Sequence, residues 1–148
     1  ALVGERVGYI AVCPQMEQKE NLLAGLILTN RILGYVNAPV IGQYLILKAL
    51  GSLVDTKKYE RRREVMAEVF RCAGLEFSLP KGGFYFFPRA PREKDHEFVA
   101  ALMEEKVLAV PGSGFGYPGY VRFAFCVDED IIARAAEPIK RAVEKVGR

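Results

Sequence analysis

The sequence has few residues of the kinds that build metal centres and disulfide frameworks. His96 is the single histidine among 148 residues, and the three cysteines, Cys13, Cys72 and Cys126, lie far apart without a C-x-x-C pair. An odd number of separated thiols argues against a disulfide framework, and a single histidine argues against a metal cluster. The pattern favours a reducing compartment, and we expect a cytoplasmic protein.

Long apolar runs and runs of charge of one sign are also missing. The most apolar stretch, residues 22–36, is interrupted by Asn30 and Arg31 and is too short and too polar to span a bilayer. The net charge is +3, and basic and acidic residues are mixed, as in KYERRREVMAE. Mixed helix faces are typical of solvated surfaces, so we expect neither a membrane nor a nucleic acid as partner.

The apolar residues, 51% of the chain, are sufficient for a folded core. Helical spacing predicts helices at residues 17–33, 40–50, 56–73 after an Asp55 cap, 95–106 after an Asp95 cap, and from 129 onward, with a bend or break at Pro138. Period-two alternation predicts strands at residues 6–12, 75–79, 84–88, 107–110 and 120–127, the second and third of these forming an antiparallel pair. The order β-α-α-α-β-β-α-β-β-α predicts an α+β fold, in which helices cover a small, largely antiparallel sheet that one separate strand precedes.

The glycine-rich stretch VPGSGFGYPG contains the pattern G-x-G-x-x-G at Gly114, Gly116 and Gly119. A dinucleotide site requires a helix after the glycines, whereas a strand is predicted to follow them here. We therefore favour a loop that needs positive φ angles and close backbone approach. Ser113 within it has no histidine nearby in sequence, so a hydrolase triad is not favoured.

Arg122 lies in the middle of YVRFAFCV, an otherwise uncharged strand. Alternation places it on the face opposite to Val121, Phe123 and Phe125. A guanidinium removed from water needs a partner, which is either a structural carboxylate or a ligand carboxylate bound by two parallel hydrogen bonds. The sequence leaves both possibilities open. The small neighbour Ala124 and the adjacent glycine loop leave room for a ligand.

Other candidate residues have simpler interpretations. Arg6 follows a glycine turn at the start of a predicted strand and, from residue chemistry alone, points to solvent. His96 follows a predicted helix cap and is interpreted as a surface residue. The aromatic run that begins at Phe84 is interpreted as core and sheet packing.

Four stretches in a fixed order give the chain a resemblance to a known family. They are GERVGYI at 4–10, NAPVIGQY at 37–44, PKGGFYFF at 80–87, and VPGSGFG followed by YVRFAF at 110–125. Together they resemble the C-terminal portion of fold-type I, pyridoxal-phosphate-dependent aminotransferases of class I/II. The resemblance covers essentially the whole chain, and it implies transfer of an amino group between an amino acid and a 2-oxo acid.

The resemblance also implies roles for individual residues. Arg6 matches the arginine that pairs with the cofactor phosphate, and Arg122 matches the arginine that holds the substrate α-carboxylate. Phe84 matches an aromatic residue that lines the substrate site. Asn37 lies in a stretch that reaches the neighbouring subunit's site in family dimers, so a homodimer is expected for the complete enzyme.

The chain departs from the family pattern in two respects. The lysine that forms the Schiff base with pyridoxal phosphate is expected just upstream of Ala1, so this chain has no catalytic residue of its own and is expected to be inactive alone. Some aspartate-type members carry an arginine five residues before the Asn37 equivalent. That position is Ile32 here, with Arg31 beside it, so dicarboxylate specificity does not follow from the resemblance.

The resemblance divides the chain into two parts. Residues 1–50 are expected to be the end of the large cofactor-binding domain with its connecting helices, and residues 51–148 the small domain. Two alternatives stay open. One is a free-standing α+β domain that binds a carboxylate or another protein, and the other is a different fold-type I activity, such as a lyase or a synthase.

Overall fold

The computed structural model describes residues 3–147. The chain divides into two compact units, of which the first ends at Val54 and the second begins at Asp55. The predicted division at residue 50 refers to the parts of a larger enzyme and stays a prediction.

The first unit contains two α-helices, α1 (Lys19–Ile32) and α2 (Val40–Ala49). Both agree with the predicted helices to within two residues at each end. A short 3-10 helix, Val3–Glu5, precedes them. The predicted strand at residues 6–12 is wrong, because no strand forms there. A strand requires a neighbouring strand to pair with its backbone, and none of the described residues pairs with this segment.

The second unit begins with the helix α3 (Thr56–Cys72). The predicted cap is confirmed, since Asp55 accepts a hydrogen bond from the Lys57 N–H at 3.1 Å. Gly74, at φ 73°, ends the helix, and the Leu75 N–H donates back to the Phe70 carbonyl at 3.0 Å. This is the pattern by which a left-handed glycine satisfies the last helical carbonyls.

Three antiparallel strands form a sheet in the order β1–β3–β2. They are β1 (Tyr85–Phe86), β2 (Val110–Pro111) and β3 (Val121–Ala124). The predicted strand at residues 75–79 is wrong, and so is its pairing with β1. A backbone hydrogen bond from the Arg89 N–H to the Glu76 carbonyl joins residues 75–79 to the chain beyond β1, whereas β1 itself pairs with β3 through Tyr85–Ala124 and Phe86–Phe123.

Strand β3 has the predicted alternation. Val121, Phe123 and Phe125 are at most 3% exposed, whereas Arg122 is half-buried and Ala124 is exposed. The Phe123 ring lies 5.0 Å from that of Phe70 on α3. Aromatic rings therefore form the centre of the core.

The remaining helices cover the sheet. They are α4 (Asp95–Glu104), α5 (Glu129–Arg134) and α6 (Ala136–Gly147). The predicted final helix is two helices, and the break lies at Ala135. Pro138 falls in the first turn of α6, where a missing N–H costs no helical hydrogen bond. The α+β fold with a small antiparallel sheet covered by helices is confirmed. No helix within residues 3–147 is long and apolar enough to cross a membrane.

A 3-10 helix, Gly112–Phe115, joins β2 to the loop that leads into β3. The Gly112 N–H donates to the Tyr120 carbonyl at 2.7 Å. A Cβ atom on Gly112 would lie 2.7 Å from the same oxygen and still closer to the Tyr117 carbonyl oxygen. This position therefore requires glycine for close approach of the backbone.

Asp95, the first residue of α4, is the only buried charged side chain among the described residues, at 6% exposure. It accepts a hydrogen bond from the Ser113 N–H at 2.9 Å rather than acting as the predicted cap of its own helix. Burial raises the pKa of Asp95, but hydrogen bonds from Ser113 and from the backbone of His96 together lower it by more than burial raises it. The pKa therefore lies below its ordinary value.

We expect Gly112→Ala to lower the free energy of unfolding by about 1–3 kcal/mol, because the added methyl group has no room. Gly114→Ala is the matched control, since a Cβ atom there meets nothing within 4 Å. Urea unfolding of both variants, followed by circular dichroism, measures the difference. Equal midpoints for the two variants would contradict the packing described for Gly112.

Stability should also fall on acidification. Because the pKa of Asp95 is lower in the folded state than in the unfolded state, its ionised form stabilises the fold above about pH 4. That contribution is lost as the pH falls through the folded-state pKa. We expect Asp95→Asn to flatten the dependence of the unfolding free energy on pH between about pH 2 and 5. Urea unfolding at several pH values tests this, and parallel curves for the two proteins would refute it.

Candidate carboxylate and phosphate sites

Arg122 projects from β3 on the face of the sheet opposite to the aromatic core. Its guanidinium carbon lies 4.5 Å from the centre of the Tyr85 ring and 4.2 Å from that of Phe115. Both distances are within the range of cation–π attraction. No hydrogen bond or ion pair joins the guanidinium to another residue within 3–147. Its planar set of N–H donors is therefore available to an anion.

The two rings beside Arg122 were not identified from the sequence. Tyr85 pairs with Ala124 across the sheet, which places it on the same face as Arg122. Phe115 comes from the 3-10 helix. Period-two spacing in β1 places Tyr85 and Phe86 on opposite faces of the sheet. The structure shows that Tyr85 is the exposed residue and Phe86 the buried one. No pattern in the sequence indicated Phe115, because only the folded path of the turn brings its ring to Arg122.

Phe84, the predicted substrate-site aromatic, packs partly against the core. Its ring centre lies 4.7 Å from that of Tyr85. The Phe125 N–H donates to the Phe84 carbonyl at 3.0 Å, which holds this segment beside β3. Phe84 thus lies next to a ring that contacts Arg122, and its role in substrate binding stays a prediction.

The structure brings Ser113 and His96 together, although they are distant in sequence. The Ser113 hydroxyl and His96 Nε2 are 2.7 Å apart. A serine nucleophile also needs a carboxylate on the other histidine nitrogen. Within the described part of the chain no such hydrogen bond forms, since Asp95 binds the backbone of Ser113 instead. The arrangement gives no support to a hydrolase.

In the first unit, Arg6 and Asn37 line one cavity of about 620 Å³. Arg6 has φ 53°, which directs the chain out of the preceding 3-10 helix. Asn30 and Tyr35 add polar groups, and Leu23 and Leu26 add apolar ones. Arg6 forms no ion pair with any residue that the structure describes. The volume falls in the size range of small-molecule sites, and the lining is part polar and part apolar.

Gly42 on α2 supports this arrangement. It is buried, and a Cβ atom there would lie 2.6 Å from Val7 Cγ2. A side chain at position 42 would therefore require Val7, the neighbour of Arg6, to move. Among residues 3–147, no group of histidine, cysteine, aspartate and glutamate side chains could hold a metal ion.

The predicted site residues thus form two pairs. Arg6 and Asn37 line one cavity of the first unit, and in the second unit Phe84 and Arg122 both contact Tyr85. Arg31 and Ile32 both occupy the last turn of α1 and are exposed. Helical geometry places them about 100° apart around the helix.

Comparison with known proteins identifies the family. Residues 1–139 match the family described as "Aminotransferase class I and II". The chain is 43% identical over 162 residues to an aspartate aminotransferase of Bacillus subtilis, covering 98% of this chain and 39% of that protein. It is 32% identical over 160 residues to a probable aspartate/prephenate aminotransferase of Aquifex aeolicus, covering 99% and 39%.

Comparison with solved structures supports the same family. An amino transferase from Eubacterium rectale superposes with a TM-score of 0.81 at 34% identity, covering 99% of this chain and 37% of that one. An aspartate aminotransferase from Thermus thermophilus with maleate gives a TM-score of 0.71 at 25% identity, covering 84% and 35%. The chain spans about 40% of the length of its curated relatives. It belongs to the class I and II aminotransferases.

Proposed function

We propose that the chain is the C-terminal part of an aminotransferase that transfers an amino group between an amino acid and a 2-oxo acid with pyridoxal 5'-phosphate. In this proposal it supplies two anion-binding arginines, Arg122 for the substrate carboxylate and Arg6 for the cofactor phosphate. The observation that carries the proposal is the guanidinium of Arg122. It is held between two rings and has no carboxylate partner among residues 3–147.

Arg122 would orient the substrate. A carboxylate accepts two parallel hydrogen bonds from the guanidinium, and such charge-assisted bonds contribute about 1.5–3 kcal/mol each to binding. Binding at two oxygens also fixes the direction of the α-carbon. Small misplacements of reacting atoms strongly reduce the reaction rate. The orientation of the substrate therefore affects the rate more than its binding affinity does.

Arg6 and its cavity fit the phosphate group of the cofactor. A cation without an ion-pair partner among residues 3–147 attracts a phosphate dianion, and Asn37 could donate a further hydrogen bond from the same cavity. When bound, pyridoxal phosphate would supply the electron sink for removal of the α-proton. Phe84 would contribute an apolar wall to the substrate site.

The first unit supports the proposal that a further part of the enzyme covers it. No residue of α1 is buried, and in α2 only Gly42 is. Large apolar side chains between 63% and 74% exposed include Ile32, Leu33, Ile41, Tyr44, Leu47 and Leu50. A monomer rarely exposes apolar surface on this scale. We propose that the N-terminal part of the enzyme and a second subunit bury it, and that the N-terminal part carries the Schiff-base lysine.

The cytoplasm is our proposal for the compartment. Cys13, Cys72 and Cys126 are all unpaired and exposed. Exposed thiols persist in reducing compartments, whereas oxidising ones convert them to disulfides.

We expect Arg122→Gln to weaken binding of a monocarboxylate such as propionate more than tenfold, because at least one charge-assisted hydrogen bond is lost. Arg122→Lys keeps the charge but loses the planar pair of donors, and should bind with intermediate affinity. Exposed Arg134→Gln is the charge-matched control. Titrations followed by amide chemical shifts measure the affinities. Equal affinities for Arg122→Gln and Arg134→Gln would refute the assignment.

The isolated chain should not catalyse transamination, because its residues bind and orient but include no base at the reacting carbon. Amino-group transfer is measured after addition of pyridoxal phosphate, first with the chain alone and then with the N-terminal part of the enzyme added. Activity is expected only in the second mixture. Turnover by the chain alone would contradict this proposal.

A further inference from the structure

Asp95 is a buried carboxylate whose hydrogen-bond partners include Ser113 and the backbone of His96. It accepts the N–H of Ser113 at 2.9 Å. A buried carboxylate is costly unless it is hydrogen-bonded, so this contact fixes the position of Ser113 relative to α4.

A second contact holds the same serine. The Ser113 hydroxyl lies 2.7 Å from Nε2 of His96, the neighbour of Asp95 on α4. The first turn of α4 therefore binds both the main chain and the side chain of Ser113. Beside Ser113, the Gly112 N–H donates to the Tyr120 carbonyl at 2.7 Å, which attaches the start of the 3-10 helix to the residue before β3.

These contacts position Phe115, which lies two residues after Ser113. Its ring lies 4.2 Å from the guanidinium carbon of Arg122. Phe115 is 49% exposed, so burial in the core does not hold its ring. The ring of Phe87 also contacts it edge to face, at 6.4 Å between centres. The backbone of the 3-10 helix and this ring contact therefore both constrain Phe115.

We propose that Asp95, through Ser113, is a positioning residue for the carboxylate site, because it keeps Phe115 against the guanidinium of Arg122. The two rings beside Arg122 differ in how they are held. Tyr85 is fixed by pairing of β1 with β3, whereas Phe115 depends on the contact between α4 and the 3-10 helix. The use of Arg122 for a substrate carboxylate rests on the proposed function, but the link from Asp95 to Phe115 does not.

The link affects binding through preorganisation. An arginine side chain has many rotamers, and holding it in the bound geometry before the ligand arrives lowers the entropy lost on binding. Loss of one cation–π contact at a partly exposed site is expected to weaken carboxylate binding about two- to fivefold. Because Tyr85 remains in place, binding should be weakened and not abolished.

The first measurement uses the full chain without ligand. An aromatic ring shifts the NMR signal of a proton near its face, so the Arg122 Hε signal reports the position of Phe115. Phe115→Leu gives the shift expected for complete loss of the ring. We expect Asp95→Ala to move Hε in the same direction by at least half as much, and Asp95→Asn, which leaves no cavity, to move it less. Glu97→Gln, on the same helix but bound to Lys94, is the matched control and should leave Hε unchanged.

The second measurement is the affinity for propionate in the same variants. Phe115→Leu and Asp95→Ala should each weaken binding about two- to fivefold, and the double variant should be no weaker than Phe115→Leu alone. Additive losses in the double variant, or an unmoved Hε signal in folded Asp95→Ala and Asp95→Asn, would overturn the proposal. Failure of the unmodified chain to bind propionate, with the Hε shifts as expected, would instead refute the carboxylate role of Arg122.

Discussion

The burial of alternate side chains on β3 is the constraint on which the second unit depends. Val121, Phe123 and Phe125 are almost completely buried among the rings of Phe70 and Phe86. Each fully buried side chain of this size contributes about 1.5–3 kcal/mol. A shift of register by one residue would expose all of them and bury Arg122. The core therefore determines that the arginine faces away from it, on the side where β1 presents Tyr85.

The glycine-rich segment before β3 connects this core to the site. Its glycines let two backbone segments pack closely at Gly112 and let the chain turn at Gly116 and Gly119, both at positive φ. The resulting turn is short enough for α4 to hold it through a buried carboxylate and to place an aromatic ring on Arg122. The pattern G-x-G-x-x-G thus serves chain geometry here, since β3 and not a helix follows it.

The first unit shows how far local sequence pattern determines structure in the absence of a partner. Apolar residues at helical spacing are sufficient to predict α1 and α2, because helical hydrogen bonds are made within each segment. Burial is different, since nearly all of the apolar side chains in these helices remain exposed within the unit. The matched relatives are about two and a half times as long as this chain. In the proposed enzyme this exposed apolar surface is an interface.

The sequence alone determined the first four α-helices, the Asp55 cap, the glycine end of α3 and the face on which Arg122 lies, because each depends on neighbours in the chain or on periodicity. It did not determine the break that divides the last helical segment into α5 and α6. Recognition of four ordered motifs also identified the family. Residue chemistry alone did not indicate a phosphate-binding role for Arg6, which the resemblance implies. Only the tertiary structure decided which strands pair, since pairing joins distant residues. It therefore removed the strands predicted at residues 6–12 and 75–79. It alone brought Phe115 to Arg122 and His96 to Ser113, because those contacts depend on the three-dimensional path of the loop and have no signature in local pattern.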